Sequence, residues 1–426
     1  MNYKKPRKFF YRIAQFVSWI ASALFFKRKI IRNEIKGKKG PYMIIANHQA
    51  ALDFVNLIGV TKTPMNFVIS DSFYNTLPIK GYLDKIAVIP KQQFQTSIND
   101  MKKMKAVIEN NGVLAVYPAG LMCEDGLSTP IPVATYKFLK WIKTDIYVAK
   151  TRGTYFSMPK WAKDKKIRRG RTYIDIFRLF SKEELATLEV EEIQARTEKE
   201  LLFDAYRDQE ELQIKYKHNN NIEGLEQVLY MCPHCKKEFS VQVKDKSTIF
   251  CTECGYEQTT DKYAFMHNEK GIGEEIRYVS DWSKLIYNEL KKKIENGDLV
   301  SLSDTTKIHM IDTKKHKFVE VGSGEVTLTR ENFVLKGAIN GEEIDYKIPI
   351  LNFASLPFKP GKCFEIQHGA DIFRCVLNDG KLVMKFINMI KIFYELNLPN
   401  IGHDHHYHNH EEHCPHCNKD ELRVKA

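Results

Sequence analysis

The stretch YMIIANHQAALDF, residues 42–54, places an apolar run directly before Asn47 and His48, with Asp53 five positions after the histidine. A short apolar run of this kind is typical of a strand buried on both faces. Asn47 is a good helix N-cap, so a helix is predicted to follow it. The stretch therefore predicts a strand-to-helix turn at a sheet edge, where a substrate can reach the histidine.

The spacing of His48 and Asp53 has a chemical interpretation. An aspartate about one and a half helical turns later can bond one imidazole nitrogen, which fixes the tautomer and leaves the other nitrogen to accept a proton. Such a pair supplies a general base and the partner that orients it, but no nucleophile. A substrate hydroxyl would therefore be the nucleophile. The alternative is a surface histidine that happens to lie near a surface aspartate.

Composition limits the class of protein. The chain has 426 residues, enough for about two to four domains, and its 43% hydrophobic and 28% charged residues are typical of a folded protein. The formal charge of +12 favours anionic partners, either nucleic acid or acidic lipids. No nucleic-acid-binding motif accompanies the charge, so we expect a membrane surface and no nucleic acid. The oligomeric state stays open.

The N-terminal segment combines basic and aromatic residues. Phe9, Ile13, Phe16, Ile20 and Leu24 recur at helical spacing, and the charge-free part is 14 residues long. That part is shorter than the roughly 20 residues that cross a bilayer. We predict a helix in the membrane interface, with a core helix or a full span as alternatives.

Residues 36–180 alternate between strand-like apolar runs and helical periodicity, which predicts an α/β domain with a buried, mostly parallel sheet. Residues 181 to about 217 are strongly charged and helical and are predicted to close this domain, which thus extends over 36–218. Within it, N-H-x4-D at residues 47–53 resembles the signature of the glycerolipid acyltransferases, which include 1-acylglycerol-3-phosphate acyltransferase. The stretches at 78–91, 116–121 and 146–156 resemble the later blocks of that family, in the same order. The resemblance implies His48 and Asp53 as catalytic residues. It implies a substrate site at Asn47, Lys91, Pro118, Ala119, Gly120 and Leu121.

The same resemblance implies a reaction. His48 would deprotonate a lysophospholipid hydroxyl, which attacks an acyl thioester of acyl carrier protein or coenzyme A, and amides near Ala119–Leu121 would stabilise the oxyanion. Lys91 would contact the acceptor phosphate. Where the family usually has Glu and Arg, this chain has Ala119 and Met122. A different lysolipid or an amino-lipid is therefore an alternative acceptor.

A basic run, KDKKIRRGR at residues 163–171, follows Tyr155, Phe156 and Trp161. It is either a solvated loop or a surface for anionic headgroups or the acidic carrier protein. The three aromatic residues beside it predict a membrane-facing rim.

The cysteines predict a metal site. The nine cysteines include three CxxC pairs, and no signal-peptide cleavage site is evident. We therefore expect a reducing compartment and the cytoplasmic face of the membrane, with peripheral or monotopic attachment. Cys232, Cys235, Cys251 and Cys254 have the spacing of a zinc ribbon, a closed structural Zn²⁺ site. Cys414 and Cys417, in a histidine-rich tail, are candidates for a second metal site.

Beyond a charged connector, residues 300–398 contain short strand-like runs and one terminal helix, which loosely resemble a pleckstrin-homology-like domain. Without catalysis, the chain would be a membrane-associated scaffold that recruits partners. The predicted units are an interface helix (1–35), an acyltransferase domain (36–218), a zinc ribbon (225–265), a β-rich domain (266–400) and a tail (401–426).

Overall fold

The computed structural model describes residues 4–93, 97–218 and 220–398. The predicted tail, with Cys414 and Cys417, lies outside the described residues. The chain begins with helix α1 (Lys8–Ala21) and a π-helical turn (Ser22–Phe26). Together, Lys8–Phe26 are long and apolar enough to cross a membrane by length and composition, and 22% of the segment is buried.

Helix α1 packs on the first domain by one face only. Tyr11 is buried in the domain core, and the Tyr82 hydroxyl donates to the Phe10 carbonyl at 2.8 Å. The predicted apolar stripe points away from the domain: Phe9 is 70% exposed and Phe16 is 61% exposed. The helix ends before residue 35, because strand β1 (Lys29–Asn33) joins the sheet of the next domain.

The first domain is built on a seven-stranded sheet in the order β1-β7-β6-β2-β5-β3-β4. Strands β6, β2, β5, β3 and β4 are parallel, and β7 is antiparallel to β6. Alternate residues of β2 enter the apolar cores on opposite faces of the sheet, as expected for buried parallel strands. The strands after β1 are β2 (Tyr42–Ala46), β3 (Asn66–Ser70), β4 (Ile89–Lys91), β5 (Val113–Val116), β6 (Ile146–Arg152) and β7 (Tyr173–Phe180).

Helices cover both faces of this sheet. One face is covered by α1, α2 and α4, and the other by α5, α6 and α9, each through its buried apolar residues. Ser181 is the N-cap of α8 and forms a capping box with Glu184. The helices are α2 (Asp53–Ile58), α3 (Asp71–Thr76), α4 (Lys80–Lys85), α5 (Ile98–Glu109), α6 (Val133–Ile142), α7 (Thr154–Ser157), α8 (Lys182–Thr187), α9 (Val190–Leu201) and α10 (Ala205–Leu212).

A small antiparallel sheet follows, in the order β11-β10-β9-β8. Its strands are β8 (Val241–Lys244), β9 (Thr248–Cys251), β10 (Glu257–Thr260) and β11 (Met266–His267). Its core is continuous with Tyr155, Phe156 and Trp161 of the first domain.

The prediction of a membrane-facing rim is therefore wrong. Tyr155, Phe156 and Trp161 are buried under the small sheet and its connector. Arg168 of the basic run is also buried, lies over the Trp161 ring and donates to the Asn221 carbonyl at 2.7 Å. These aromatic residues form a contact between domains, because they pack against the apolar surface of the small sheet.

The charged connector contains a helix, α11 (Val279–Glu295), that was not predicted. Its buried residues include Val279, Trp282, Ile286 and Leu290. That spacing is helical, but Lys284 and the run Lys291–Lys293 obscured it. The Trp282 indole N–H donates to the Met231 carbonyl at 2.8 Å, so α11 packs on the segment with the first cysteines.

The C-terminal domain is a second seven-stranded sheet, in the order β15-β14-β13-β12-β18-β17-β16, with every described pairing antiparallel. Its pleckstrin-homology-like character stays a prediction. The predicted fold class, a mostly parallel α/β domain followed by a cysteine-bearing small sheet and a C-terminal β domain with one terminal helix, is confirmed. The elements are β12 (Ser301–Asp312), β13 (Lys317–Thr329), β14 (Asn332–Ile339), β15 (Glu342–Pro349), β16 (Phe358–Lys359), β17 (Cys363–His368), β18 (Asp371–Leu377) and α12 (Leu382–Asn397).

Candidate active site and cysteine cluster

The turn after β2, residues 47–53, is called the His48 turn here. The Asn47 side-chain amide donates to the Thr151 carbonyl at 2.7 Å and accepts from the Thr151 amide at 2.8 Å. It therefore joins the end of β2 to β6. The prediction that Asn47 caps a helix is wrong, because α2 begins at Asp53.

His48 and Asp53 meet as predicted from their spacing. Nδ1 of His48 lies 2.9 Å from Oδ2 of Asp53. The same carboxylate oxygen accepts from the backbone amides of Gln49 at 2.6 Å and Ala50 at 2.9 Å. The Asp53 side chain is 1% exposed, whereas that of His48 is 21% exposed. The aspartate is thus held by the turn itself, and the imidazole reaches the surface.

This arrangement determines which nitrogen of His48 can react. A carboxylate oxygen only accepts hydrogen bonds, so Nδ1 carries the hydrogen in the neutral ring and Nε2 has a free lone pair. The Tyr117 ring packs beside the imidazole, with centroids 4.6 Å apart and planes inclined by 33°. The orientation of the ring is therefore set from two sides, and Nε2 can serve as a general base.

The loop after β5, residues 117–125, is called the β5 loop here. Because β5 pairs with β2, this loop begins beside the His48 turn. Gly120 has a φ of +70°, which favours glycine, and its amide donates to the Tyr117 carbonyl at 3.0 Å. That amide is engaged in the turn. Among the described residues, the amides of Ala119 and Leu121 have no acceptor, so they are the better candidates to bind an oxyanion.

The remaining predicted substrate residues are spread along the same sheet edge. Pro118 is buried, and Gly120 is exposed and accepts at 2.6 Å from the Gln93 side chain. Lys91 ends β4, three strands from β2, so it lies roughly 14 Å away at about 4.8 Å per strand. Lys91 is half-buried, donates to the Gln92 carbonyl at 2.9 Å, and its pKa is lowered by burial.

Two supporting residues were not predicted. Oε1 of Gln49, which is buried, accepts from the Thr154 amide at 3.0 Å and the Tyr155 amide at 3.2 Å. The Cys123 thiol, also buried, donates to the Gln49 carbonyl at 3.5 Å. These contacts link residues 74 to 106 positions apart, so no local pattern indicated them.

The four predicted zinc ligands converge on one point. Ligand atoms of Cys232, Cys235, Cys251 and Cys254, called the cysteine cluster here, lie within 4.8 Å of one another. The Cys232–Cys254 and Cys235–Cys251 sulfur distances are both 3.7 Å. Sulfurs at about 2.3 Å from a tetrahedral Zn²⁺ would be about 3.8 Å apart, so the cluster fits this ion.

A second histidine–aspartate pair lies in the small sheet. Nε2 of His267, in β11, is 3.2 Å from Oδ2 of Asp261. The Asp261 side chain is 31% exposed, and its Oδ1 accepts from the amides of Tyr263 and Phe265. This pair provides an internal reference for the first one.

A family model matches the part of the chain that contains the His48 turn and the β5 loop. Residues 16–148 match the family model described as acyltransferase. No curated protein matches the sequence.

Two solved structures are similar in part. The 1-acyl-sn-glycerophosphate (LPA) acyltransferase PlsC from Thermotoga maritima is 16% identical, with a TM-score of 0.41 over 49% of this chain and 81% of that chain. The Ran-binding domain of the nuclear complex component Nup2 from Ashbya gossypii is 12% identical, with a TM-score of 0.18 over 22% of this chain and 94% of that chain. Residues 16–148 are thus similar to the acyltransferase family, as the N-H-x4-D resemblance predicted.

Proposed function

We propose that this protein transfers a fatty acyl group from an acyl thioester to the hydroxyl of 1-acylglycerol-3-phosphate, giving phosphatidic acid. The thioester is carried by acyl carrier protein or coenzyme A. The observation that carries the proposal is the His48–Asp53 contact of 2.9 Å, at the carboxyl edge of a parallel sheet within an acyltransferase domain.

The reaction follows from this geometry. Nε2 of His48 takes the proton of the acceptor hydroxyl while its oxygen attacks the thioester carbonyl carbon. The tetrahedral oxyanion is stabilised by amides of the β5 loop. When the carbon–sulfur bond breaks, the imidazolium returns the proton to the leaving thiolate. Asp53 holds the ring and stabilises its charged form throughout.

Lys91 supports a phosphate-bearing acceptor. Lys91 ends β4 at the same edge of the sheet as the His48 turn, so its side chain is the proposed contact for the acceptor phosphate. Ala119 and Met122 favour a second candidate, in which the same chemistry acylates a different lysolipid or an amino-lipid, because neither side chain can bind a phosphate. The two candidates differ in the acceptor alone.

The cysteine cluster would hold Zn²⁺ in a structural role. Four thiolate ligands fill a tetrahedral coordination sphere and leave no position for a substrate. When bound, the ion would fix the two cysteine turns that support the small sheet.

We also propose peripheral or monotopic attachment to the cytoplasmic face of an anionic membrane through α1. Phe16 and Trp19 are about 60% exposed on the outer face of the helix, and basic residues flank it. Replacing both by Ser should weaken sedimentation with anionic vesicles by about tenfold or more. Val300→Ser, at an apolar residue that is 67% exposed in the C-terminal domain, is the control.

The experiment that tests the function measures transfer from labelled acyl carrier protein and acyl-coenzyme A to lysophosphatidic acid and to phosphate-free lysolipids. His48→Ala should lower turnover by about 10²–10⁴-fold, while His267→Ala, which disrupts the second pair, should leave it within about twofold. Lys91→Ala should raise the KM for lysophosphatidic acid. Transfer confined to another acceptor would support the second candidate, and no transfer from folded protein would favour a scaffold.

A further inference from the structure

The β5 loop ends in two adjacent buried acids. Glu124 and Asp125 are each 4% exposed. Burying neighbouring carboxylates is costly unless hydrogen bonds or opposite charges compensate them. The groups that compensate Glu124 and Asp125 therefore determine where the loop can lie.

Those groups come from the C-terminal half of the chain. The Lys391 ammonium on α12 lies 2.8 Å from Oε1 of Glu124, across 267 positions of sequence. The Ser283 hydroxyl on α11 donates to Oδ2 of Asp125 at 2.5 Å. Lys160 is the second cation, with its ammonium 4.0 Å from Glu124. The closest charge contact to the acids is thus made by the C-terminal domain.

The same loop contacts the catalytic pair. Tyr117, at its start, packs beside the His48 ring. Cys123, one residue before Glu124, donates to the Gln49 carbonyl, and the Gln49 amide donates to Asp53. A continuous set of contacts therefore joins α12 to the His48 turn.

We infer that Lys391 is a positioning residue: its ion pair with Glu124 holds the β5 loop against the His48 turn, so that the C-terminal domain is part of the catalytic centre. The catalytic consequence rests on the proposed function, whereas the position of the loop does not. A lysine that only joins domains would behave like Lys385, which lies on the same helix and pairs with Glu238 at 2.7 Å. The two lysine side chains are similarly buried, at 14% and 12% exposed.

The test compares Lys391→Met with the matched control Lys385→Met. Both should lower the Tm, because Lys391→Met leaves the buried Glu124, and Lys385→Met the partly buried Glu238, with one fewer partner. Of the two variants, only Lys391→Met should speed the alkylation of Cys123, by about tenfold. Peptide mass spectrometry measures the alkylation rate. Lys391→Met should also lower kcat/KM by roughly 10²-fold, mainly through kcat, because a small displacement of reacting groups is costly. Lys391→Arg should restore most of both.

Each outcome decides part of the inference. Equal Cys123 alkylation in the two methionine variants overturns the positioning role, whatever reaction the protein catalyses. Faster alkylation with unchanged kcat/KM overturns the catalytic consequence. No acyl transfer by the wild type overturns the proposed function, while alkylation still decides the position of the loop. If Lys391→Met does not fold, Lys391→Gln provides the same comparison.

Discussion

The two histidine–aspartate pairs are similar in local construction and differ in their surroundings. Each aspartate bonds the imidazole through one oxygen and accepts from two backbone amides. The Asp53 side chain is 1% exposed and that of Asp261 is 31% exposed. His48 is bonded through Nδ1 and His267 through Nε2. The second pair lies in a partly exposed turn, whereas in the first pair a buried aspartate holds the imidazole that we propose as the base.

Position in the fold explains the difference. His48 follows a buried parallel strand, so it lies at the carboxyl edge of the sheet beside the β5 loop. His267 belongs to β11, whose two residues pair with β10 at the edge of the small sheet. The comparison shows that histidine–aspartate spacing predicts a contact, while the fold decides whether that contact lies at the edge of a parallel sheet.

The largest expected effect is that of Asp53→Asn. The amide oxygen in the place of Oδ2 can still accept from Gln49, Ala50 and Nδ1 of His48, but it carries no negative charge. The imidazolium that forms when His48 takes a proton would lose the carboxylate charge that stabilises it, so kcat/KM should fall by roughly 10²–10⁴-fold. Steady-state kinetics with the acyl thioester measure this effect.

Asp261→Asn is the matched control for that prediction. It changes the same group in the second pair, and kcat/KM should stay within about twofold, because that pair lies in a different sheet from the His48 turn. Comparable losses in both variants would contradict the distinction between the pairs.

Metal removal should act on the region of the second pair, whereas Asp53→Asn acts on the first. The second pair shares its sheet with the cysteine cluster, and a structural metal site contributes directly to folding. Stripping the metal with a chelator should lower the Tm by roughly 10 °C, which corresponds to about 3–5 kcal/mol. Scanning calorimetry with metal analysis measures the change. Cys251→Ser should reproduce it, and Cys363→Ser, at a buried cysteine outside the cluster, should not. An unchanged Tm after complete stripping would exclude a structural metal.

Sequence proximity decided what could be predicted. His48 and Asp53 are five positions apart and the cysteines form two CxxC pairs, so both clusters could be predicted. The Lys391–Glu124 contact spans 267 positions and depends on how α12 packs on another domain. Burial of the aromatic residues near the basic run was missed for the same reason. The aromatic residues are buried by the small sheet, which is distant in sequence, so their burial depends on how that sheet packs.

A smaller effect is expected from Asp125→Asn, which extends the comparison to a buried aspartate without a histidine. Burial, and then the neighbouring Glu124 charge, raise the pKa of Asp125 to about 6. The folded state thus binds this proton more tightly than the unfolded state. Its contribution to stability is present below the unfolded pKa of about 3.8 and is lost as the pH rises through about 6. Wild type should therefore lose stability over this range relative to the variant.

Denaturant titrations at several pH values measure this difference. The free energy of unfolding of Asp125→Asn, taken relative to that of wild type, should be about 1–3 kcal/mol larger at pH 7.5 than at pH 4. The Asn side chain can still accept from the Leu127 amide, which lies 3.0 Å from Oδ1 of Asp125. A pH-independent difference between the two proteins would show that Asp125 is ionised in the fold without cost.

The smallest expected effect tests the aromatic neighbour, which distinguishes His48 further from His267. Tyr117 packs on the imidazole face, and such a ring pair contributes about 0.5–1.5 kcal/mol beyond the area that it buries. Tyr117→Leu should therefore lower kcat by roughly threefold to tenfold, because the ring of His48 is then oriented by Asp53 alone. Tyr117→Phe keeps the ring and should stay within about twofold. Equal losses in both variants would assign the effect to the Tyr117 hydroxyl, and the orientation of His48 would then depend on Asp53 without the ring.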